Sequence, residues 1–167
     1  MKLNRRIPLE APLETASEIL LSEAFNVERE KAREEVVSTA FHLVDKGQDR
    51  TVIELRTTEY KRTMTGAIDR GGTAQSVTRS TWNARDRTLS WTYEGGAAPL
   101  RMHLSGVYRF EAQGPRTTLT HEITIEVKVP LIGEKIAKIA AREFEKTAEV
   151  YEKIMQRHAR ERAAKTS

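Results

Sequence analysis

Leu3, Arg5, Ile7 and Leu9 alternate with Lys2, Asn4, Arg6 and Pro8, a period of two that predicts a short opening strand. Pro8 places that strand near a sheet edge, because proline has no N–H to give a central ladder. From Leu13 the period lengthens to that of a helix. Leu13, Ala16, Ile19, Leu20 and Ala24 share one face, while Glu14, Ser17, Glu18 and Glu23 lie away from it. Pro12 stands just before this helix, where its missing N–H costs nothing. Phe25-Asn26 is expected to break it, and residues 27–35 to form a short, highly charged second helix or turn.

After Val36 the pattern is one of strands, at residues 36–44, 50–60, 75–83, 88–93, 103–110 and 117–129. Turn signals separate them: residues 45–49, Asp69-Arg70-Gly71-Gly72, residues 84–87, 95–99 and Gln113-Gly114-Pro115. Short connections of this kind mean an antiparallel meander. Pro130 ends the last strand, and a long amphipathic helix is expected over residues 131–162. Ile132, Ile136, Ile139, Ala140, Phe144, Tyr151 and Ile154 follow helical spacing, with Lys and Glu on the remaining face. Gly133 in its first turn suits a close approach of helix to sheet. The order of elements is α+β. One domain is expected over residues 1–162, with a basic tail at 163–167.

Composition narrows the chemistry. A chain of 167 residues suits a single domain, and with no cysteine it has no disulfide, thiolate metal site or Cys nucleophile. No apolar run approaches the ~20 residues that span a bilayer, and no secretory signal pattern opens the chain, so a reducing, cytoplasmic setting is expected. The net charge of +4 invites a nucleic-acid reading, but residues 1–9 carry +3 and residues 156–167 another +3, leaving the middle at −2. No nucleic-acid partner is expected. A basic helix tail can meet anionic lipid weakly, or stand as a solvated end that complements the helix dipole.

His42, His103, His121 and His158 show no metal-ligand spacing, and neither a nucleophile elbow nor a phosphate-binding glycine loop occurs. No metal or cofactor is expected. Two strand positions carry more information. The alternation of Ile53, Leu55 and Thr57 continues to Glu59, and running back from Ile123 reaches His121. Each is either a polar group turned into a cavity, where burial shifts its pKa, or a residue beyond the buried segment. Trp82, Trp91, Tyr93, Tyr108 and Phe110 are either core or a pocket lining. The polar strand at 75–83 is either solvated or the wall of a polar pocket.

The element order, with Val127-Lys128-Val129-Pro130-Leu131-Ile132-Gly133-Glu134-Lys135-Ile136 at the junction of last strand and last helix, resembles the START-like superfamily. That superfamily includes polyketide cyclases/dehydrases and lipid-transport proteins. More narrowly, the Val129-Pro130-Leu131-Ile132-Gly133 junction resembles a bacterial domain-of-unknown-function branch, DUF2505-like. The resemblance implies a helix-grip fold, a curved antiparallel sheet wrapped around the C-terminal helix, with an apolar or amphipathic small molecule between them. Residues expected to touch such a ligand are Leu55, Trp91, Tyr93, Tyr108, Phe110, His121, Ile123, Ile136, Ala140 and Phe144. A non-enzymatic binding or carrier protein is the first expectation. The alternative is a cyclase/aromatase-type enzyme using Glu59, Arg79, Tyr108 and His121 as polar cavity groups.

Overall fold

Alternating strands and amphipathic helices assemble in the expected order. A computed structural model describes residues 1–96 and 102–166. Strand β1 (Lys2–Leu9) leads into helices α1 (Leu13–Leu21) and α2 (Glu23–Lys31). Then come β2 (Val36–Lys46), β3 (Arg50–Arg62), β4 (Ile68–Asn83), β5 (Thr88–Gly95), β6 (Met102–Gln113), β7 (Arg116–Val127) and α3 (Gly133–Thr166). The seven strands form one antiparallel sheet in the order β1-β7-β6-β5-β4-β3-β2. The meander therefore runs from β2 to β7, and β1 returns beside β7 as an edge strand, as Pro8 requires.

Several boundaries differ from the sequence expectation, each for a local reason. The break between the first two helices falls at Ser22, not at Phe25-Asn26. The Ser22 hydroxyl donates to Ile19 O at 2.8 Å and accepts from Phe25 N at 3.3 Å, capping α2. Asn26 lies inside α2, fully buried, and its amide donates to Leu20 O at 2.9 Å and Ser22 O at 2.7 Å. It ties the two helices together. Asp69-Arg70-Gly71-Gly72 is not a loop but the start of β4. The turn comes earlier, where Thr63 N donates to Ala67 O at 2.8 Å and Gly66 adopts φ +88°. Of the loop expected at 95–99, Gly95 closes β5 and residues 97–99 lie outside the described residues. The last helix starts at Gly133 rather than Leu131, and it continues to Thr166. A Cβ at Gly133 would sit 3.0 Å from Val127 O, so a glycine there does permit the close approach to the sheet end.

Side-chain alternation decides which face is which. Leu89, Trp91 and Tyr93 on β5 pair with Tyr108, Gly106 and Leu104 on β6. These pair in turn with His121, Ile123 and Ile125 on β7. All lie on the face that α3 covers, where Ile136, Ala137, Ala141, Met155 and Ala159 are buried. Each large apolar side chain removed from water contributes roughly 1.5–3 kcal/mol, so burial across this interface is a large stabilising contribution. Register shifts at Val36/Ser38 and Leu43/Asp45 each leave one extra residue in β2, and between Tyr60 and Lys61 the pairing passes over Arg70, Gly71 and Gly72 of β4.

Both basic ends are drawn into the fold. Arg157 pairs with Glu28, Arg162 with Glu18 at 2.8 Å, and Arg5 with Glu152 at 2.6 Å. No helix of the described residues is long and apolar enough to cross a membrane.

Candidate functional site

Between the inner sheet face, α2 and α3 lies a cavity of about 180 Å³. Its wall divides by chemistry. Trp91, Met102, Leu104, Ile136, Ile139 and Phe144 form an apolar side. The Trp91 and Phe144 rings lie nearly parallel, 8° apart, with centroids 5.9 Å from each other. Glu30, Arg33, Glu35, Glu59, Arg62 and Tyr93 form a charged side.

The charged side is a closed network built around Arg33. Its guanidinium donates to Glu30 at 2.7 Å, Glu35 at 3.0 Å and Glu59 at 2.7 Å. Arg62 adds a second cation to Glu35 at 3.1 Å, and the Tyr93 hydroxyl donates to Glu59. Burial disfavours the charge of Arg33, but the carboxylates of Glu30, Glu59 and Glu35 outweigh it and hold the pKa above the ordinary arginine value. Burial likewise opposes ionisation of Glu35, yet Arg33, its own backbone N–H and Arg62 bring its pKa below the usual carboxylate range. Tyr93 moves upward, first by burial and then by the neighbouring Glu59.

His121 sits on the opposite flank in a different environment. Trp91 Nε1–H donates to its Nε2 at 3.0 Å, and the Tyr108 ring stacks on it with centroids 3.7 Å apart. Burial, then the positive charges of Arg29 and Arg5, push its pKa down to about 3. The imidazole is therefore neutral at pH 7, and accepting at Nε2 leaves its proton on Nδ1. Burial raises Tyr108 to about 12. Neither ring titrates near neutrality.

Glu59 and His121 both face the cavity, with 1% and 4% exposure. Trp91, Tyr93, Tyr108, Ile136, Ala140 and Phe144 also line it. Three expected contacts do not. Leu55, Phe110 and Ile123 are buried but sit in the packed sheet face outside the cavity wall. Ile123 lies opposite Leu3 and Gly106, and Phe110 packs edge-on against Trp82 at 4.8 Å. Leu55 stands between Phe41 and Thr78, and only Thr78 of the three reaches the cavity. Arg79 does not line the cavity either. Inward positions of β4 are Ser76, Thr78 and Ser80, so Arg79 points outward and binds Glu54 at 2.8 Å in a half-exposed pair. Of the four polar residues considered for catalysis, it alone turns away from the cavity.

Arg29, Glu30, Arg33 and Glu35 also line the cavity, although the charged stretch that holds them predicts only a short helix or turn. A signal existed. Phe25, Asn26, Arg29, Glu30 and Arg33 recur at helical spacing, and measured from Phe25 the charges fall on the inward face. Gly106 was missed as well. A Cβ there would lie 2.5 Å from the Trp91 indole, so its absence makes room for the ring. Among the described residues no cluster of His, Asp and Glu is arranged to hold a metal ion.

A sheet closed against a long C-terminal helix, with a two-sided cavity beneath, is the helix-grip architecture of START-like proteins. The chain belongs to the family described as protein of unknown function, DUF2505, which matches residues 5–158. No curated protein sequence matches it. Among solved structures it is similar to TTHA0849 from Thermus thermophilus, at 15% identity and TM-score 0.65, covering 100% of both chains. It is similar to the Zhui aromatase/cyclase of a Streptomyces species, at 14% identity and TM-score 0.62, covering 98% of this chain and 95% of that one. A START superfamily protein from Mycobacterium smegmatis matches at 16% identity and TM-score 0.58, covering 93% and 97%. At such identities the likeness is one of fold.

Proposed function

We propose that the protein is a non-enzymatic binding or carrier protein for an apolar or amphipathic small molecule held between the sheet and α3. The observation that carries this reading is the cavity itself, roofed by α3 and walled by the parallel rings of Trp91 and Phe144. Large apolar contacts with a few fixed polar groups are what small-molecule sites need. The solved START superfamily structure supports the reading by fold analogy, whereas the aromatase/cyclase shares the fold with an enzyme.

A cyclase-type enzyme has less support. His121, at about pKa 3, is a weak base at neutral pH, and Tyr108, at about 12, a weak acid. Glu59 is engaged by Arg33 and Tyr93, and Arg79 is on the other face. The polar groups are spent on one another.

Native mass spectrometry of the purified full chain, with organic extraction of the same sample, tests the proposal. A co-purifying apolar or amphipathic molecule, or saturable binding of 1-anilinonaphthalene-8-sulfonate to the stripped protein with displacement by such a molecule, is the expected result. A stripped protein that binds no apolar probe would overturn it.

A further inference from the structure

The charged groups of the cavity wall are matched. Glu30, Glu35 and Glu59 share Arg33, with Arg62 at 3.1 Å from Glu35 and Arg29 at 4.0 Å from Glu30. Glu143 pairs with Lys146 at 3.1 Å, and Glu152 with Arg5 at 2.6 Å. Among the described residues these are the five carboxylates of the lining, and five cations answer them. A ligand with a net charge would bring an ion without a counter-ion into this buried space, which burial penalises heavily.

Two uncharged donors are not matched. The Tyr108 hydroxyl has no hydrogen-bond partner among the described residues, and neither has the Nδ1–H of His121, whose Nε2 accepts from Trp91. Tyr108 and His121 are paired residues of β6 and β7, 7% and 4% exposed, with their rings stacked 10° from parallel. Both line the cavity, and neither donor is sealed off by packing as the Arg29 Nε is. Their open side is therefore the chamber. With Tyr108 raised to about 12 and His121 lowered to about 3, chiefly by burial, both stay neutral donors across the physiological range. A buried donor left without an acceptor forfeits its hydration, so an oxygen belongs here.

We propose that the cavity's ligand is an uncharged amphiphile whose carbonyl oxygen accepts from the Tyr108 hydroxyl and the His121 Nδ1–H while its apolar body lies against Trp91 and Phe144. This assignment rests on the binding-protein reading above and names the ligand class for the same cavity. A carbonyl oxygen has two lone pairs, one for each donor, and brings no proton that would need an acceptor of its own. It carries no charge into a wall where every charge is already answered. Trp91 joins the two parts of the site, since its N–H fixes the His121 tautomer and its ring lies beside that of Phe144.

The test offers the stripped full chain four naphthalene probes of similar size. They are 2-acetylnaphthalene, 2-isopropenylnaphthalene (a methylene in place of the carbonyl oxygen), 2-naphthoate and 2-naphthylmethylammonium. Equilibrium dialysis gives their affinities, and infrared difference spectra of the ketone, isotope-labelled at its carbonyl carbon, read the hydrogen bonds directly. The ketone should bind at least about tenfold more tightly than either ion. Its carbonyl stretch should lie below the value in hexane, as accepted hydrogen bonds require. Tyr108→Phe should weaken ketone binding about fivefold, leave the isopropenyl probe within about twofold, and return the stretch part of the way, because His121 still donates. An ion that binds as tightly as the ketone, a stretch at its hexane value in the unmodified protein, or a stretch unmoved by Tyr108→Phe overturns the assignment and leaves the cavity reading standing. Failure of all the probes to bind overturns the two together. The stretch in the unmodified protein keeps the test decisive even if the variant folds poorly.

Discussion

Trp91 on β5 reaches over Gly106 on β6 to donate its indole N–H to His121 on β7, at 3.0 Å. The path is open because the middle strand carries no side chain there: a Cβ at Gly106 would collide with the indole at 2.5 Å. A glycine in mid-strand weakens local pairing. Here it lets two cavity groups on non-adjacent strands meet.

Gly106→Ala should therefore destabilise the fold by about 1–3 kcal/mol, the cost of overpacking a filled site. It should also displace Trp91, shift its fluorescence and weaken apolar probe binding. Urea titration followed by tryptophan emission measures both effects. An unchanged unfolding midpoint and spectrum would contradict the packing described.

His121 makes stability depend on pH in a defined direction. Its folded pKa of about 3 lies below the ordinary imidazole value, so between roughly pH 6.5 and 3 the unfolded chain binds a proton that the folded chain does not. Stability is fully present above about pH 6.5 and falls as pH drops, by up to about 1.4 kcal/mol per pH unit from this group. His121→Gln keeps an acceptor for Trp91 but cannot titrate. Urea midpoints measured from pH 7 to pH 5 should slope in the parent and flatten in this variant, in a range above that in which carboxylates such as Glu35 protonate.

Arg33 and Arg79 offer an internal contrast. Arg33→Met leaves Glu30, Glu35 and Glu59 buried without their shared cation, a loss of about 3–5 kcal/mol. Arg79→Ala removes a half-exposed pair with Glu54 and should cost less than about 1 kcal/mol. Chemical denaturation of the two variants side by side checks the difference. Comparable losses would mean that the network around Arg33 is solvated.

Asn26 ties α1 to α2 through two hydrogen bonds, to Leu20 O and Ser22 O. Asn26→Ala should cost about 2 kcal/mol, roughly one for each bond lost from a buried site. Amide hydrogen exchange should rise first in α1 and α2, because the break between them loses its tie. Protection that falls equally in every strand would argue for global rather than local loosening.

Most strands were legible because period-two alternation survives in them. Leu89-Trp91-Tyr93 and Leu119-His121-Ile123 could be assigned to one face directly, and both lie inward. Glu59 and His121 were reachable by the same extrapolation. Arg79 was not, because the strand around it is polar on both faces, so alternation alone does not say which of Thr78 and Arg79 turns inward. Register with β3 decides it, placing Arg79 opposite Glu54 and Thr78 opposite Leu55.

The sequence by itself determined the order of elements, the edge position of β1, the single sheet and the long closing helix, because these follow from local periodicity and from prolines and glycines that act within a few residues. The tertiary structure alone decided the site. Arg33 meets Glu59 across 26 residues of chain, Trp91 meets His121 across 30, and Arg5 meets Glu152 across 147. A charged stretch reads the same whether solvent or three arginine-bound carboxylates surround it. Only the closing of the sheet against α2 and α3 removes water from one side of that stretch, turning ordinary surface residues into the wall of a cavity.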